Sequence, residues 1–414
     1  MDASWAKHNE QYLGTGLAWL QQVLKQQAGI ETEGESGALT SAVLEVDEDG
    51  EFIPALPLLV QQFGLSAFEQ QLLLLCVGLE LDTQIASLCA KAQDHPQRPY
   101  PTFALALTIF EEPDWSVVMA DGALRYWQLI EVNEQPMTPL TVSALRADMR
   151  VVNYLKGVNR LDPRLMELVR PVRNPMLAEL PPSQQAIVEE IIQILTRAEE
   201  GAGPFPVVQL LGAADGDSQE LLAQATAEQL GLRLYRLPVA QLPTQVSELT
   251  TLARLWHRET LLLPVALYLD GAELEPKGAQ ATALRYFVSR CQGICFLNVP
   301  DKGIDLDRAV QMVEVAKPTP MEQRVIWEAL LDNDSADLAQ LLASQFRLNL
   351  PDIIEIASTS LASTPLSQQS TPFDKAQGRP LSQRAARELS GVEARLWTAC
   401  LEKTRPTLDN LAQR

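Results

Sequence analysis

The stretch V207-VQLLGAADGDSQELLAQATAEQL-G231 decides the fold. It opens with an apolar run, turns at Gly212, and continues with a helix-like pattern. Five apolar-rich residues ending at a glycine read as a buried strand. The residues from Gln219 onward repeat apolar positions at three- and four-residue steps, which reads as a helix. A strand, a glycine turn and a helix in that order form the frame of a phosphate-binding loop, G-x-x-x-x-G-K-[ST]. The lysine of that pattern is absent here.

Two alignments of the loop are open. With the spacing kept, Asp217 stands at the second glycine, Ser218 at the lysine and Gln219 at the Ser/Thr. With one residue removed, Gly216 fits the second glycine, Ser218 the Ser/Thr, and Asp217 replaces the lysine. Either way Asp215 and Asp217 put carboxylates beside the phosphate position and no cation. Two like charges about 4 Å apart repel by about 4 kcal/mol at an effective dielectric of about 20. The same residues suit a simpler task. Asp217 and Ser218 are good N-caps for a helix starting near Gln219.

Outward from this loop, strand-like and helix-like segments alternate. "GLRLYRLP", "PVALYLDG", "GICFLNVP" and "AVQMVEV" read as further strands, with "QVSELTTLARLWHRET" and "GAQATALRYFVSRCQ" as helices between them. Such alternation predicts a parallel sheet covered by helices. "VALYLDGAELE" is an apolar strand ending in Asp270, as in a Walker-B strand, but Gly271 follows where a hydrolytic site has Glu. A strand ending in a D-G turn explains it equally well. Asn298 follows another apolar strand, as a sensor-1 residue would, or simply starts a loop. Arg308 is the nearest candidate for an arginine finger, and an exposed helix-end arginine explains it as well.

Further out the pattern is helical. "QYLGTGLAWLQQVLKQQ" sets Leu13, Leu17, Leu20 and Leu24 on one face. Ser66 and Glu69 form a capping box before "LLLLCVGL", a segment apolar nearly all round and therefore central to a core. "WQLIEV" reads as a strand, a Pro-containing loop follows, and "RADMRVVNYLKG" reads as a helix closed by Gly157. Helices followed by a short strand-loop-strand suit a winged-helix-like domain, although a plain helical bundle fits the same pattern. After Pro318 three short helices and a Ser/Pro/Gln-rich linker precede a last helix.

Composition narrows the function classes. The 414 residues carry a formal charge of −20, from 33 basic and 53 acidic side chains. No Lys/Arg-rich run offers the positive potential that duplex binding needs. Arg146, Arg150 and Lys156 are the only basic cluster on the expected recognition helix. Five scattered cysteines without C-x-x-C spacing, and three distant histidines, make no metal or disulfide framework. The apolar runs are too short to span a bilayer and no leader pattern opens the chain, so a cytoplasmic protein is expected.

"FGLSAFEQQLLLLCVGLELD", "DHPQRPYPTFALAL", "WQLIEV", "LPPSQQAIVEEI" and "TRPTLDNLAQR" together resemble the N-terminal part of bacterial AAA-family ATPases. Those proteins carry a winged-helix-like domain and then two AAA modules. The resemblance implies an α/β fold with a mainly helical N-terminal domain and a degenerate P-loop AAA-like sheet with a small helical lid. The implied divisions are an N-terminal helix and acidic linker (1–48), a winged-helix-like domain (49–180), the α/β domain (181–316), the lid (317–362), a disordered linker (363–383) and a C-terminal helix (384–414). Gly212 matches the first loop glycine, Asp270 the Walker-B acid, and Ser218 the Ser/Thr only if the loop is shortened. The lysine and the catalytic Glu have no match, so no catalytic residue and no metal ligand is assigned. The degenerate cofactor-binding set is Gly212, Gly216, Ser218, Asp270 and Asn298.

The expected function is a non-hydrolysing AAA-like scaffold that recruits a protein partner and supports a catalytic AAA module. No cofactor is expected. A weak ATP/Mg-binding module acting in a homo-oligomer, and a winged-helix DNA-binding regulator, are the alternatives.

Overall fold

A computed structural model describes residues 3–30, 53–172, 180–201, 203–212, 217–275, 277–299, 303–331, 336–362 and 391–412. The acidic linker beyond Ile30, the linker at 363–383, and Gly216 lie outside the described residues. The chain divides into two compact units. One holds residues 1–167 and 247–264, and the other holds 168–246 and 265–414.

The first unit is helical. Helix α1 (Ala3–Gln27) buries Leu13, Leu20 and Leu24, as the periodicity predicts. Helices α2 (Ala55–Phe63), α3 (Ala67–Leu81), α4 (Thr83–Ala92) and α5 (Phe103–Ile109) follow. The Ser66–Glu69 capping box is formed: the Glu69 N–H donates to Ser66 Oγ (3.2 Å) and the Ser66 N–H donates to Glu69 Oε2 (2.9 Å). Such a cap contributes about 1 kcal/mol. Leu72 to Val77 of α3 are all fully buried, which makes this helix the centre of the unit's core.

After α6 (Ala123–Tyr126), strand β1 (Ile130–Asn133) pairs antiparallel with β2 (Ala144–Ala147), and α7 (Met149–Leu155) follows. This departs from the helix expected to begin at Arg146. Arg146 and Ala147 are strand residues facing Glu131 and Ile130, and Asp148 caps α7 by accepting the Arg150 N–H at 2.9 Å. A capping aspartate two residues into the segment divides it into strand and helix. Trp127 and Gln128 likewise precede the strand, because Gln128 has φ of 52° and turns the chain into β1.

The second unit is built on a six-stranded sheet in the order β3-β5-β6-β7-β4-β8. Its strands are β3 (Arg170–Pro171), β4 (Val207–Leu211), β5 (Arg233–Pro238), β6 (Val265–Asp270), β7 (Cys295–Val299) and β8 (Val310–Glu314). The five strands from β4 to β8 run parallel, as the alternating pattern predicts. The short β3 adds an antiparallel edge on β5; its proline-punctuated surroundings carry no strand pattern. Helices α8 (Pro182–Glu200), α9 (Asp217–Gln229) and α11 (Ala279–Arg290) belong to this unit. Its core joins Val188, Ile191 and Leu195 of α8 to the central strands. Gln209 is buried in β4, between β7 and the edge strand β8, and the segment ahead of β8 satisfies it. Its Nε2 donates to the Ile304 carbonyl at 2.6 Å and its Oε1 accepts the Ile304 N–H at 2.9 Å.

Helix α10 (Val246–Leu262) follows β5 and precedes β6 in the chain, as a crossover helix should. Its packing lies in the first unit. There Arg258 and Glu259, both fully buried, join Asp148, Arg150, Asp162 and Arg164 in one ion-pair network. The lid of the second unit consists of α12 (Pro320–Leu330), α13 (Ala336–Gln345) and α14 (Leu350–Ala362), and the separate C-terminal helix α15 (Gly391–Ala412) packs onto it. These helices share a core around Trp327, Ile353 and Trp397. Glu322 completes a capping box with Thr319 and also accepts from the Ser183 N–H at 2.7 Å and hydroxyl at 2.8 Å, which ties the start of α12 to the start of α8.

Candidate functional site

The candidate site lies at the carboxyl ends of β4, β5, β6 and β7 in the second unit. Parallel α/β sheets present their loops and helix N-termini on this side, so ligands favour it. Gly212 ends β4, and α9 begins five residues later at Asp217. A Cβ on Gly212 would lie 2.8 Å from Gln219 Nε2 and 3.1 Å from the Val315 carbonyl oxygen. The side chain of Gln219 thus fills the space above the turn.

The helix start corrects one expectation. Asp217 and Ser218 are not caps before the helix but residues of its first turn. Asp217 gains there from the helix dipole, while desolvation and the nearby Asp352 push its carboxyl above the ordinary range. Ser218 is buried, and its hydroxyl has no hydrogen-bond partner among the described residues.

Asp270 and Asn298 come together. They face each other in register on β6 and β7, and Asn298 Nδ2 lies 3.5 Å from Asp270 Oδ1. The main partner of Asp270 is a residue the sequence reading did not single out. Arg236, one strand over on β5, donates to Asp270 Oδ2 at 2.5 Å and pairs with Glu220 Oε2 of α9 at 2.9 Å. No local motif marks Arg236. Only the β5–β6 register, with Arg236 beside Tyr268 and Asp270 two residues further along β6 on the same face, makes the pair visible.

Gly271 follows Asp270 at the position where a hydrolytic site would have Glu. A Cβ there would sit 2.7 Å from the Asn298 carbonyl oxygen, a backbone atom that cannot swing aside. The chain therefore has no room for a side chain at this point without moving β7. A cavity of about 900 Å³ opens beside these residues, lined by Asp217, Arg236, Tyr268, Asp270, Glu273 and Glu275 among others. Among the described residues its charged lining holds one arginine against four carboxylates.

Arg308 is not an exposed helix-end arginine. It sits half-buried in a bend ahead of β8, where its guanidinium donates to the carbonyls of Phe205 (2.7 Å), Cys291 (2.7 Å) and Gly293 (2.9 Å). These bonds use its donors on backbone, so it fastens loops. Arg324 makes an i,i+4 pair with Glu328 at 2.7 Å on the lid surface. In the first unit the three basic residues of the expected recognition segment are each matched by a carboxylate. Arg146 meets Glu80 at 2.7 Å, Arg150 meets Glu259 at 3.0 Å in the interior, and Lys156 meets Glu10 at 3.4 Å. Among the described residues no group of three or more His, Cys, Asp or Glu side chains is arranged to hold a metal ion, and no helix is long and apolar enough to cross a membrane.

Comparison with known proteins adds two regional likenesses. Residues 38–169 match the family model "Winged helix domain, variant", and residues 319–406 match "Contractile injection system ATPase helical domain". Among solved structures the chain is similar to the FIGL-1 AAA domain at 15% identity and a TM-score of 0.36, over 50% of this chain and 80% of that one. It is also similar to the Thermotoga maritima RuvB Holliday junction branch migration motor at 15% identity and a TM-score of 0.33, over 43% of this chain and 62% of that one. No curated protein matches. The chain thus has a helical N-terminal region that matches a winged-helix model, then a parallel α/β sheet, then a helical region that matches the ATPase helical-domain model.

Proposed function

We propose that this chain is a non-hydrolysing, AAA-like scaffold that works in an ATPase assembly of a contractile injection system. In this reading the winged-helix region recruits a protein partner, and the α/β unit with its lid supports assembly with a catalytic AAA module. The observation that carries the reading is the state of Asp270. The acid that would hold Mg²⁺ in an active site is bound at 2.5 Å to Arg236 of its own sheet. The lysine-free loop, and the closed position at Gly271, point the same way. The injection-system setting rests on the match of the lid region. Protein recruitment, in preference to duplex binding, is supported by the paired state of Arg146, Arg150 and Lys156 and by exposed apolar side chains such as Trp115 and Met137.

A weak nucleotide-binding module is the second reading, and the cavity beside Asp270 favours it. Titration with a fluorescent ATP analogue and Mg²⁺, paired with a turnover assay, separates the two. The scaffold reading expects no turnover and no thermal stabilisation at millimolar ATP. Steady hydrolysis that Asp270→Ala abolishes would overturn it. A thermal shift without turnover would favour the second reading.

A further inference from the structure

Two thiols touch where α11 gives way to β7. The Sγ atoms of Cys291 and Cys295 are 3.7 Å apart, and both residues are buried. The other three cysteines are buried in apolar clusters, Cys76 and Cys89 in one and Cys400 in another. Burial pushes the thiols of Cys76, Cys89 and Cys400 well up, Cys89 and Cys400 to about 12. Thiols in that condition are inert nucleophiles.

The 291–295 pair has a different environment. The Arg308 guanidinium donates to the carbonyls of Cys291 and Gly293, which places a positive charge against the turn that carries both sulfurs. The contact with the Cys291 sulfur, reinforced by Arg308, pulls the Cys295 thiol below its ordinary value, whereas burial pushes Cys291 up. Cys295 is thus the more readily deprotonated thiol of the pair. The connecting residues Gln292, Gly293 and Ile294 are only half-buried, and Gly293 has φ of 87°, so the turn is where local opening brings reagent to the sulfurs. A covalent S–S bond is about 2.0 Å long. From 3.7 Å the sulfurs must approach by about 1.7 Å to bond.

We propose that Cys291 and Cys295 are a reversible disulfide site, closed by exchange with a low-molecular-weight disulfide. Cys295 loses its proton, and its sulfur attacks one sulfur of the small disulfide. A bond forms between them, the S–S bond of the reagent breaks, and one small thiolate leaves. Cys291 then loses its proton and attacks the Cys295 sulfur, which releases the second small thiolate and leaves the Cys291–Cys295 bond. Two protein thiols are oxidised, one reagent disulfide is reduced to two thiols, and the two protein protons end on those thiols. The closed loop is short, so the bond constrains the unfolded chain little and acts mainly on the α11–β7 turn.

The test treats the folded full chain with oxidised glutathione, quenches with acid, alkylates under denaturing conditions and maps the tryptic peptides by mass. The peptide spanning 291–302 should lose two hydrogens with no added mass, escape alkylation, and regain both thiols in dithiothreitol. Cys76, Cys89 and Cys400 should remain fully alkylated. In Cys291→Ser, Cys295 should accumulate the glutathione mixed disulfide, because the resolving thiol is gone. Full alkylation of 291–302 under conditions that oxidise a reference dithiol peptide would overturn the proposal. So would oxidation that joins either cysteine to Cys76, Cys89 or Cys400. If Cys291→Ser fails to fold by circular dichroism, the wild-type map decides alone.

Discussion

Two charge networks in this molecule use the same chemistry at opposite depths. In the first unit Arg258 and Glu259 are completely buried, and Asp162 and Asp148 nearly so. Arg258 donates to Asp162 and to the Gln128 carbonyl (2.7 Å), while Arg150 grips Glu259 with bonds of 3.0 and 3.1 Å. In the second unit Arg236 keeps 42% of its side chain exposed while it pairs with Asp270 and Glu220. Charges removed from water are tolerated only when every partner stays in place. Charges at a cavity mouth remain solvated and exchangeable. The first network holds helix α10 to its neighbours. The second pairs an acid at the cavity with a cation of the neighbouring strand.

The contrast is broken most directly by removing one cation from each network. Arg258→Met should cost about 3–5 kcal/mol, because it strands buried carboxylates without a counter-charge. Urea unfolding followed by the fluorescence of the buried Trp256 should show a lower midpoint. A loss below about 1 kcal/mol would mean the interior network is not the anchor of α10. Gly271→Ala should come next, at about 1–3 kcal/mol, since its Cβ meets the Asn298 carbonyl at 2.7 Å. An unchanged unfolding midpoint would show that β7 yields easily, and would remove the steric argument against a glutamate there.

Arg236→Ala should cost under about 1 kcal/mol, as expected of a half-exposed pair. Its informative readout is Mg²⁺-dependent nucleotide binding, which should stay absent if the lysine-free loop is the deeper defect. Binding gained on freeing Asp270 would make Arg236 a self-inhibitory contact and favour the second functional reading.

The smallest expected effect is at Glu322. Burial opposes its ionisation, but the N–H groups and hydroxyls of Ser183 and Thr319 outweigh that and hold its carboxyl below the ordinary range. With the folded value depressed, the folded state binds fewer protons than the unfolded state between the two values. The stabilisation is therefore full above the ordinary glutamate range and is lost as pH falls through the depressed folded value. Glu322→Gln should flatten that acid limb in a lid-unfolding titration, and an unaltered limb would assign it to other carboxylates.

Much of the scaffold was legible because hydrophobic periodicity is a local property. Five parallel strands, the Ser66–Glu69 box and the three lid helices follow from alternation and capping residues alone. The segment from Arg146 was misread because apolar periodicity cannot see that Asp148 ends a strand and begins a helix. The candidate site was legible only in part. Gly212 follows β4 and Asp270 closes β6, as the apolar runs predict, so sequence placed them at the carboxyl ends of strands. Asn298, expected to follow its strand, is instead a buried residue inside β7, because the apolar run continues through Val299.

By itself, the sequence determined the elements, their order, and the absence of a lysine from the loop after β4, since these depend on residues a few positions apart. Only the tertiary structure decided that Arg236 captures Asp270 across a strand pairing and that the Asn298 carbonyl closes the space beside Gly271. It alone packed α10 into the first unit through Arg258 and Glu259 and set two thiols against each other beside Arg308. Each of these joins side chains or backbone atoms through strand register and packing, and register is fixed by the whole sheet and its core, not by the neighbours of any one residue.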